Sequence, residues 1–293
     1  MTIRRILIVL LILTLAFFGY MYHVATRDPV IRRASIAMPD WPLDTPPLTV
    51  MLISDVHVAG PDMPPSRLAR IVTQINAAKP DLVLFAGDMV SDRRIATHLY
   101  SGQQAMAPLA KLNAPMGAVA VMGNHDHWRG LAEMRTALRD AGVEVLLNNA
   151  ALRGPLLIGG VDDDYTHHAD VNATMAAMNR LAPANPAQPQ PARLILTHSP
   201  DIMPELPAAG HKGYVPLLLA GHTHCGQIVL PMIGAVSHVS RYGDTYLCGL
   251  KREDGKTLVV GAGLGTSIVP LRLGAVPDMW LLTLGPSAKP AAN

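Results

Sequence analysis

Hydrophobic residues in this chain come in short blocks, most of them closed by a cluster of polar residues. The first block differs from the rest. ILIVLLILTLAFFGYMY, residues 6–22, carries no charge and approaches the roughly 20 residues that a helix needs to cross a bilayer core. Tyr20 and Tyr22 suit a membrane interface. A cleaved export signal has a similar apolar run, but no A-x-A site follows this one, so the pattern predicts an uncleaved anchor over residues 1–27. Arg4 and Arg5 flank one end and Arg27, Arg32 and Arg33 the other, which leaves the orientation open.

Residues 28–47 hold prolines at 29, 39, 42, 46 and 47, and a segment so poor in hydrogen-bond donors reads as a linker. From Leu48 the pattern changes to strand and helix in turn. LTVMLISD predicts a buried strand ending at polar residues, and Ser66 is placed to cap a helix through Lys79, with Leu68, Ile71, Val72 and Ile75 at helical spacing. DLVLFAGD predicts a second strand, residues 103–112 a helix and GAVAVMGN a third strand. LAEMRTALRDAG reads as a helix closed by Gly142. This alternation places the chain in the α/β class. Further strands are expected at 143–147, 155–160, 193–197, 216–220, 227–230, 245–249, 257–261 and 279–284. Residues 183–192 read as an exposed proline-rich loop, 48–285 as the folded domain and 286–293 as a flexible tail.

Composition adds limits. A 49% hydrophobic content over 293 residues argues for a sizeable core, and a net charge of +2 without a basic run gives no support for a nucleic-acid surface. The two cysteines, Cys225 and Cys248, fit neither a CxxC motif nor a disulfide framework, so no disulfide is expected.

Polar clusters close five of the predicted strands: Asp55-Val56-His57, Gly87-Asp88, Gly123-Asn124-His125-Asp126, Thr197-His198 and Gly221-His222-Thr223-His224. The carboxyl ends of strands are where α/β proteins build their sites. In extended chain, residues at i and i+2 point the same way, so Asp55 and His57 can reach one ion, as can His222 and His224. Imidazoles, carboxylates and one amide oxygen without a thiolate run suit Zn, Mn or Fe better than Ca or Mg. Seven ligands exceed one tetrahedral ion and suit a pair, a device for in-line displacement at phosphorus. Glycines 87, 123 and 221 would let the backbone turn sharply at each strand end. Singly, an Asp-x-His or a GD pair is most often a surface pair or a turn; their order along the chain gives them weight.

These clusters resemble the calcineurin-like metallophosphoesterase family, whose signature reads here as DVH, GDMVSD, GNHD, THSP and GHTH over most of residues 48–284. GHTHCGQIVLP, SRYGDTY and VVGAGLGTSIVPLRLGAVPDMWLLTL are similar to its membrane-anchored bacterial YaeI/YkuE-like branch. The resemblance implies a four-layer α/β/β/α sandwich, the metallo-dependent phosphatase fold, behind an N-terminal transmembrane helix. It also implies two divalent ions, Mn, Zn or Fe. Asp55, His57 and His224 would hold one, Asn124, His198 and His222 the other, and Asp88 would bridge them. His125 would protonate the leaving oxygen or stabilise phosphate charge, and Asp126 would orient His125.

Two positions depart from the family. The acid expected three residues after the GD aspartate is Ser91 here, with Asp92 one later and outside the expected site. The branch has GHTHGGQ where this chain has Cys225, which reads as a small residue packed beside the site, replaceable by glycine. His127 and Trp128 either line the cleft or pack in a loop, and Arg241 either meets phosphate or makes a surface salt bridge.

The implied function is a membrane-anchored phosphoesterase of phosphodiesterase or pyrophosphatase type, with a metal-bound hydroxide attacking phosphorus in line. The anchor suggests a lipid-linked phosphate ester or pyrophosphate as substrate and the cell (inner) membrane as location, and no protein partner is implied. The alternatives are a UDP-2,3-diacylglucosamine pyrophosphatase of lipid A synthesis and a non-catalytic scaffold of the same fold. An amidohydrolase barrel built on His222-Thr223-His224 is disfavoured, because that pair belongs early in such a chain.

Overall fold

The computed structural model describes residues 2–92, 95–185, 188–211 and 213–286. Five α-helices are present among them: α1 (Ile3–Thr26), α2 (Pro65–Ala77), α3 (Gly102–Met106), α4 (Asn124–Asp140) and α5 (Val171–Leu181). The strands are β1 (Val30–Met38), β2 (Leu48–Ile53), β3 (Leu82–Ala86), β4 (Ala118–Val121), β5 (Val143–Val145), β6 (Asn149–Arg153) and β7 (Leu156–Gly160). They continue as β8 (Ala192–Leu196), β9 (Leu217–Ala220), β10 (Val229–Leu230), β11 (Gly234–Ala235), β12 (Gly249–Glu253), β13 (Lys256–Val260) and β14 (Asp278–Pro286).

Two six-stranded sheets result, in the orders β1-β14-β2-β3-β4-β5 and β12-β13-β9-β8-β7-β6. Strands β2 to β5 run parallel, as do β13, β9, β8 and β7. Period-two alternation sorts each strand between two cores. Val50 and Leu52 of β2 face Leu194, Leu196, Leu217 and Leu219 across the space between the sheets. Met51 and Ile53 instead join α2, α3 and α4 in an outer layer, and Ile195, Leu218 and Leu258 join α5 on the other side. The order of layers is thus α/β/β/α, as expected, and it excludes a barrel.

Residues 30–38 are not the free linker expected. β1 pairs in parallel with β14 and buries Ile36 and Met38 between the sheets. The prolines at 29 and 39 bracket VIRRASIAM and leave its donors intact. Pro286 also lies in β14 rather than in the expected tail; residues 287–293 lie outside the described residues. Two helix boundaries moved. Pro64, not Ser66, precedes the first turn of α2, with Pro65 in that turn, and α4 begins at Asn124 rather than near Leu131, bending at Gly130. Of residues 245–249, the first two close a helical turn and strand β12 begins at Gly249, while α5, β6 and β11 were not foreseen.

Helix α1 is long and apolar enough to cross a membrane, with only 6% of its most apolar window buried. Its last turns dock on the folded part: Met21, Val24 and Ala25 are buried, and the Arg272 N–H donates to the Met21 carbonyl at 3.1 Å.

Candidate metal centre

Each polar cluster begins one or two residues after its strand, so five strands from two sheets deliver their ends to one place. There, Asp55, His57, Asp88, Asn124, His198, His222 and His224 are all buried. Asp55, His57 and His224 form one candidate metal-holding group and Asp55, Asp88 and His198 another; a third joins His57 and Asp88 to His125. His57 Nε2 is 3.1 Å from His224 Nε2, and Asp55 Oδ1 is 3.4 Å from His224 Nε2. On the other side, His198 Nε2 lies 3.2 Å from Asn124 Oδ1 and 3.0 Å from His222 Nδ1. Asp88 Oδ2 stands between these sets, 3.4 Å from His57 Nε2 and 3.2 Å from His198 Nε2.

The backbone achieves this by left-handed turns, not by the extended geometry expected. Asp55 (φ 48°), His57 (φ 50°), Asp88 (φ 53°), His222 (φ 71°) and His224 (φ 51°) all have positive φ. Each such residue costs on the order of 1–3 kcal/mol, which packing must offset. The glycines also act differently from expectation. Gly87 does turn the chain (φ 79°), but Gly123 has an ordinary φ of −112° and is required for space: a Cβ there would overlap the Asp88 carboxylate and sit 2.7 Å from the Asp88 nitrogen.

The electrostatics fit a cation. Burial, then His198, pushes the His222 imidazole down to about 3; burial, His57 and Arg272 hold His224 well below its ordinary value. Both rings are therefore neutral near pH 7 and offer lone pairs, the state that ligation needs. Burial opposes charge on Asp88, yet His198, His125 and His57 together hold its carboxyl well below the usual range. Burial also opposes charge on His198, but Asp88 and Asp55 outweigh it and hold the ring well above its ordinary value. A proton on His198 thus occupies a place where positive charge is wanted. His222 Nε2 is buried without a hydrogen-bond partner among the described residues.

Around these candidate ligands the structure corrects two assignments. Asp126 does not touch His125. As the third residue of α4 it reaches back to the Gly123 N–H (3.1 Å) and accepts from the Met89 and Val90 N–H groups (2.9 and 3.3 Å), fixing the turn that carries Asp88. The partner of His125 is Asp92, whose Oδ1 meets Nδ1, leaving Nε2 aimed toward Asp88 Oδ2 at 3.9 Å. One residue of displacement in the sequence hid Asp92. Arg272 was also missed: fully buried, it donates to the carbonyls of Ala262 and Gly265 and lies 3.3 Å from His224 Nδ1.

Cys225 and Cys248 form a disulfide, against expectation, with Cα atoms 4.7 Å apart. A sequence spacing of 23 says nothing about distance in space, and chain folding alone brings the two together. Cys225 has φ 52°, a conformation that glycine adopts without strain.

The centre floors a cleft of about 330 Å³ with polar residues below and Trp128, Tyr165, Ile228, Val236, Val239 and Ile268 on its walls. Trp128 stacks edge-on against His125, with centroids 5.0 Å apart. His127 turns away to Asp162 at 2.8 Å and to the face of His168. Arg241 resolves to a salt bridge: it pairs with Asp164 at 2.7 Å and does not line the cleft.

Two facing sheets that carry such a buried His/Asp/Asn set at their strand ends define a metallophosphoesterase. The chain belongs to the calcineurin-like phosphoesterase family, whose sequence pattern matches residues 48–226. It is similar to the uncharacterized metallophosphoesterase YkuE of Bacillus subtilis (strain 168), 32% identical over 74% of this chain and 72% of that one. An uncharacterized metallophosphoesterase of Aquifex aeolicus (strain VF5) is 31% identical over 91% of this chain and 95% of its own length. A transmembrane protein with metallophosphoesterase domain from Danio rerio is 27% identical over 96% of this chain and 62% of that protein. The chain is thus a metal-dependent phosphoester hydrolase with a candidate membrane span.

Proposed function

We propose that this hydrolase is a membrane-anchored, dinuclear phosphodiesterase or pyrophosphatase. The observation that carries the reading is Asp88 Oδ2 standing within 3.4 Å of ring nitrogens from two donor sets. Asp55, His57 and His224 would hold one divalent ion and Asn124, His198 and His222 the other, with Asp88 placed to serve both sets. Mn, Zn or Fe suits these donors. When bound, such a pair supplies Lewis acidity to phosphate oxygens and makes a nucleophile available at neutral pH.

The chain's own residues do the rest. His125, held at Nδ1 by Asp92, presents Nε2 to the leaving oxygen as proton donor. Asp126 keeps Asp88 in place through the Met89 and Val90 N–H groups.

The disulfide bears on the side of the membrane. Cytosolic thiols are kept reduced, so the Cys225–Cys248 bond supports a domain on the oxidising face of the cell (inner) membrane. That placement favours a lipid-linked phosphate ester or pyrophosphate. The filled ligand set weighs against a non-catalytic scaffold.

A leaving-group series tests the role of His125. His125→Ala should lower kcat about a thousandfold on diesters with alkoxide leaving groups and far less on p-nitrophenyl diesters, which need no proton. Asp92→Asn should follow the same trend at about 10- to 100-fold with KM unchanged. Equal losses on both esters would overturn the assignment.

A further inference from the structure

Apolar side chains crowd one rim of the cleft. At the turn of the β10–β11 hairpin, Met232 and Ile233 are fully open, at 105% and 76% exposure, with Ile268 at 72% nearby on the cleft wall. Hairpin turns ordinarily carry polar residues, and exposed apolar groups concentrated beside a site mark a contact surface.

The backbone says what covers it. Val229 N–H donates to the Leu273 carbonyl at 2.7 Å and Leu273 N–H to the Gln227 carbonyl at 3.0 Å, so the base of the hairpin pairs with Leu273. The next residue back, Arg272, donates its N–H to Met21, where α1 reaches the folded part. Residues 2–20, all exposed, continue from that point as the candidate span. The hairpin is therefore joined, through two adjacent residues, to the end of the anchor.

We infer that Met232, Ile233 and Ile268 rest in the interface of the lipid bilayer beside the anchor, a second contact that turns the mouth of the cleft to the membrane. Val236, Val239 and Ile268 then form an apolar wall leading from the bilayer to the metal floor. The substrate class is a phosphate ester of a membrane-resident amphiphile. This last step rests on the proposed hydrolysis; the membrane contact does not.

The full chain in vesicles of phosphatidylethanolamine and phosphatidylglycerol tests both parts. An environment-sensitive fluorophore on Met232→Cys should be quenched about twofold or more by nitroxide-labelled lipids. The same probe on Leu181→Cys, exposed at the opposite end of the strands, should not. An unquenched probe at 232 would overturn the contact, as would protection that appears only on self-association, the sign of a second copy on the hairpin. Met232→Asp with Ile233→Asp should raise KM about tenfold for a vesicle-borne phosphate ester and leave hydrolysis of a soluble diester in detergent unchanged. Equal effects on the two substrates would overturn the substrate class. No hydrolysis of any ester by the parent would remove the proposed function and the substrate class with it, while leaving the quenching result to decide the contact.

Discussion

Asp88→Asn should leave the protein folded and cut phosphodiester hydrolysis by at least about a thousandfold, roughly 4 kcal/mol of barrier. Asparagine keeps the side-chain shape and tolerates the left-handed backbone at this position, φ 53°, so the loss reads the carboxylate alone. Without it, the charge that both donor sets share is gone. His57 Nε2 and His198 Nε2, 3.4 and 3.2 Å from Asp88 Oδ2, lose their common partner, and metal content should fall with activity. The Oδ1 atom also accepts the His125 N–H at 2.9 Å, which asparagine's oxygen can still do, so α4 should stay in place. Unchanged circular dichroism with lost turnover is the expected pair of results. Parent-like turnover would remove Asp88 from the site.

Cys248→Ser should lower stability by about 3 kcal/mol, the loop-closure entropy that a cross-link spanning 23 residues removes from the unfolded chain. Because Cys225 follows His224 directly, the staple also holds a candidate ligand. The Thr223 hydroxyl bond to the Leu247 carbonyl, 2.6 Å, would remain between the two segments there. Denaturant unfolding with and without reductant measures this. Reduced parent protein should match the variant, and identical midpoints in all samples would mean that the cysteines are not joined. The same reasoning revises the expectation that glycine replaces Cys225 freely: glycine suits φ 52° but loses the bond.

What could be read from the sequence was what local pattern determines. β3 and β4 are unbroken apolar runs, buried on both faces, and β2 departs from this at Thr49; the polar residues that follow them lie at the end of the sheet. That is why the positions of the candidate ligands were legible before their geometry. β1 was not, because VIRRASIAM alternates arginine and serine with apolar residues between prolines, and only its partner β14, 246 residues away at the Arg32–Asp278 ion pair, makes it a strand. Asp92 and Asp126 exchanged roles for a similar reason. Which carboxylate meets an imidazole depends on turn geometry, and the left-handed residues 55, 57 and 88 are invisible in a pattern of residue types. Arg272 and the disulfide are contacts between segments 48 and 23 residues apart, set by tertiary packing alone.

The most direct test is metal content read together with turnover. The full chain, purified in detergent, stripped with chelator and refilled with Mn, Zn or Fe in turn, should bind two ions per chain. It should hydrolyse a p-nitrophenyl phosphodiester only when refilled. A stripped protein that hydrolyses the ester at the original rate would contradict the account.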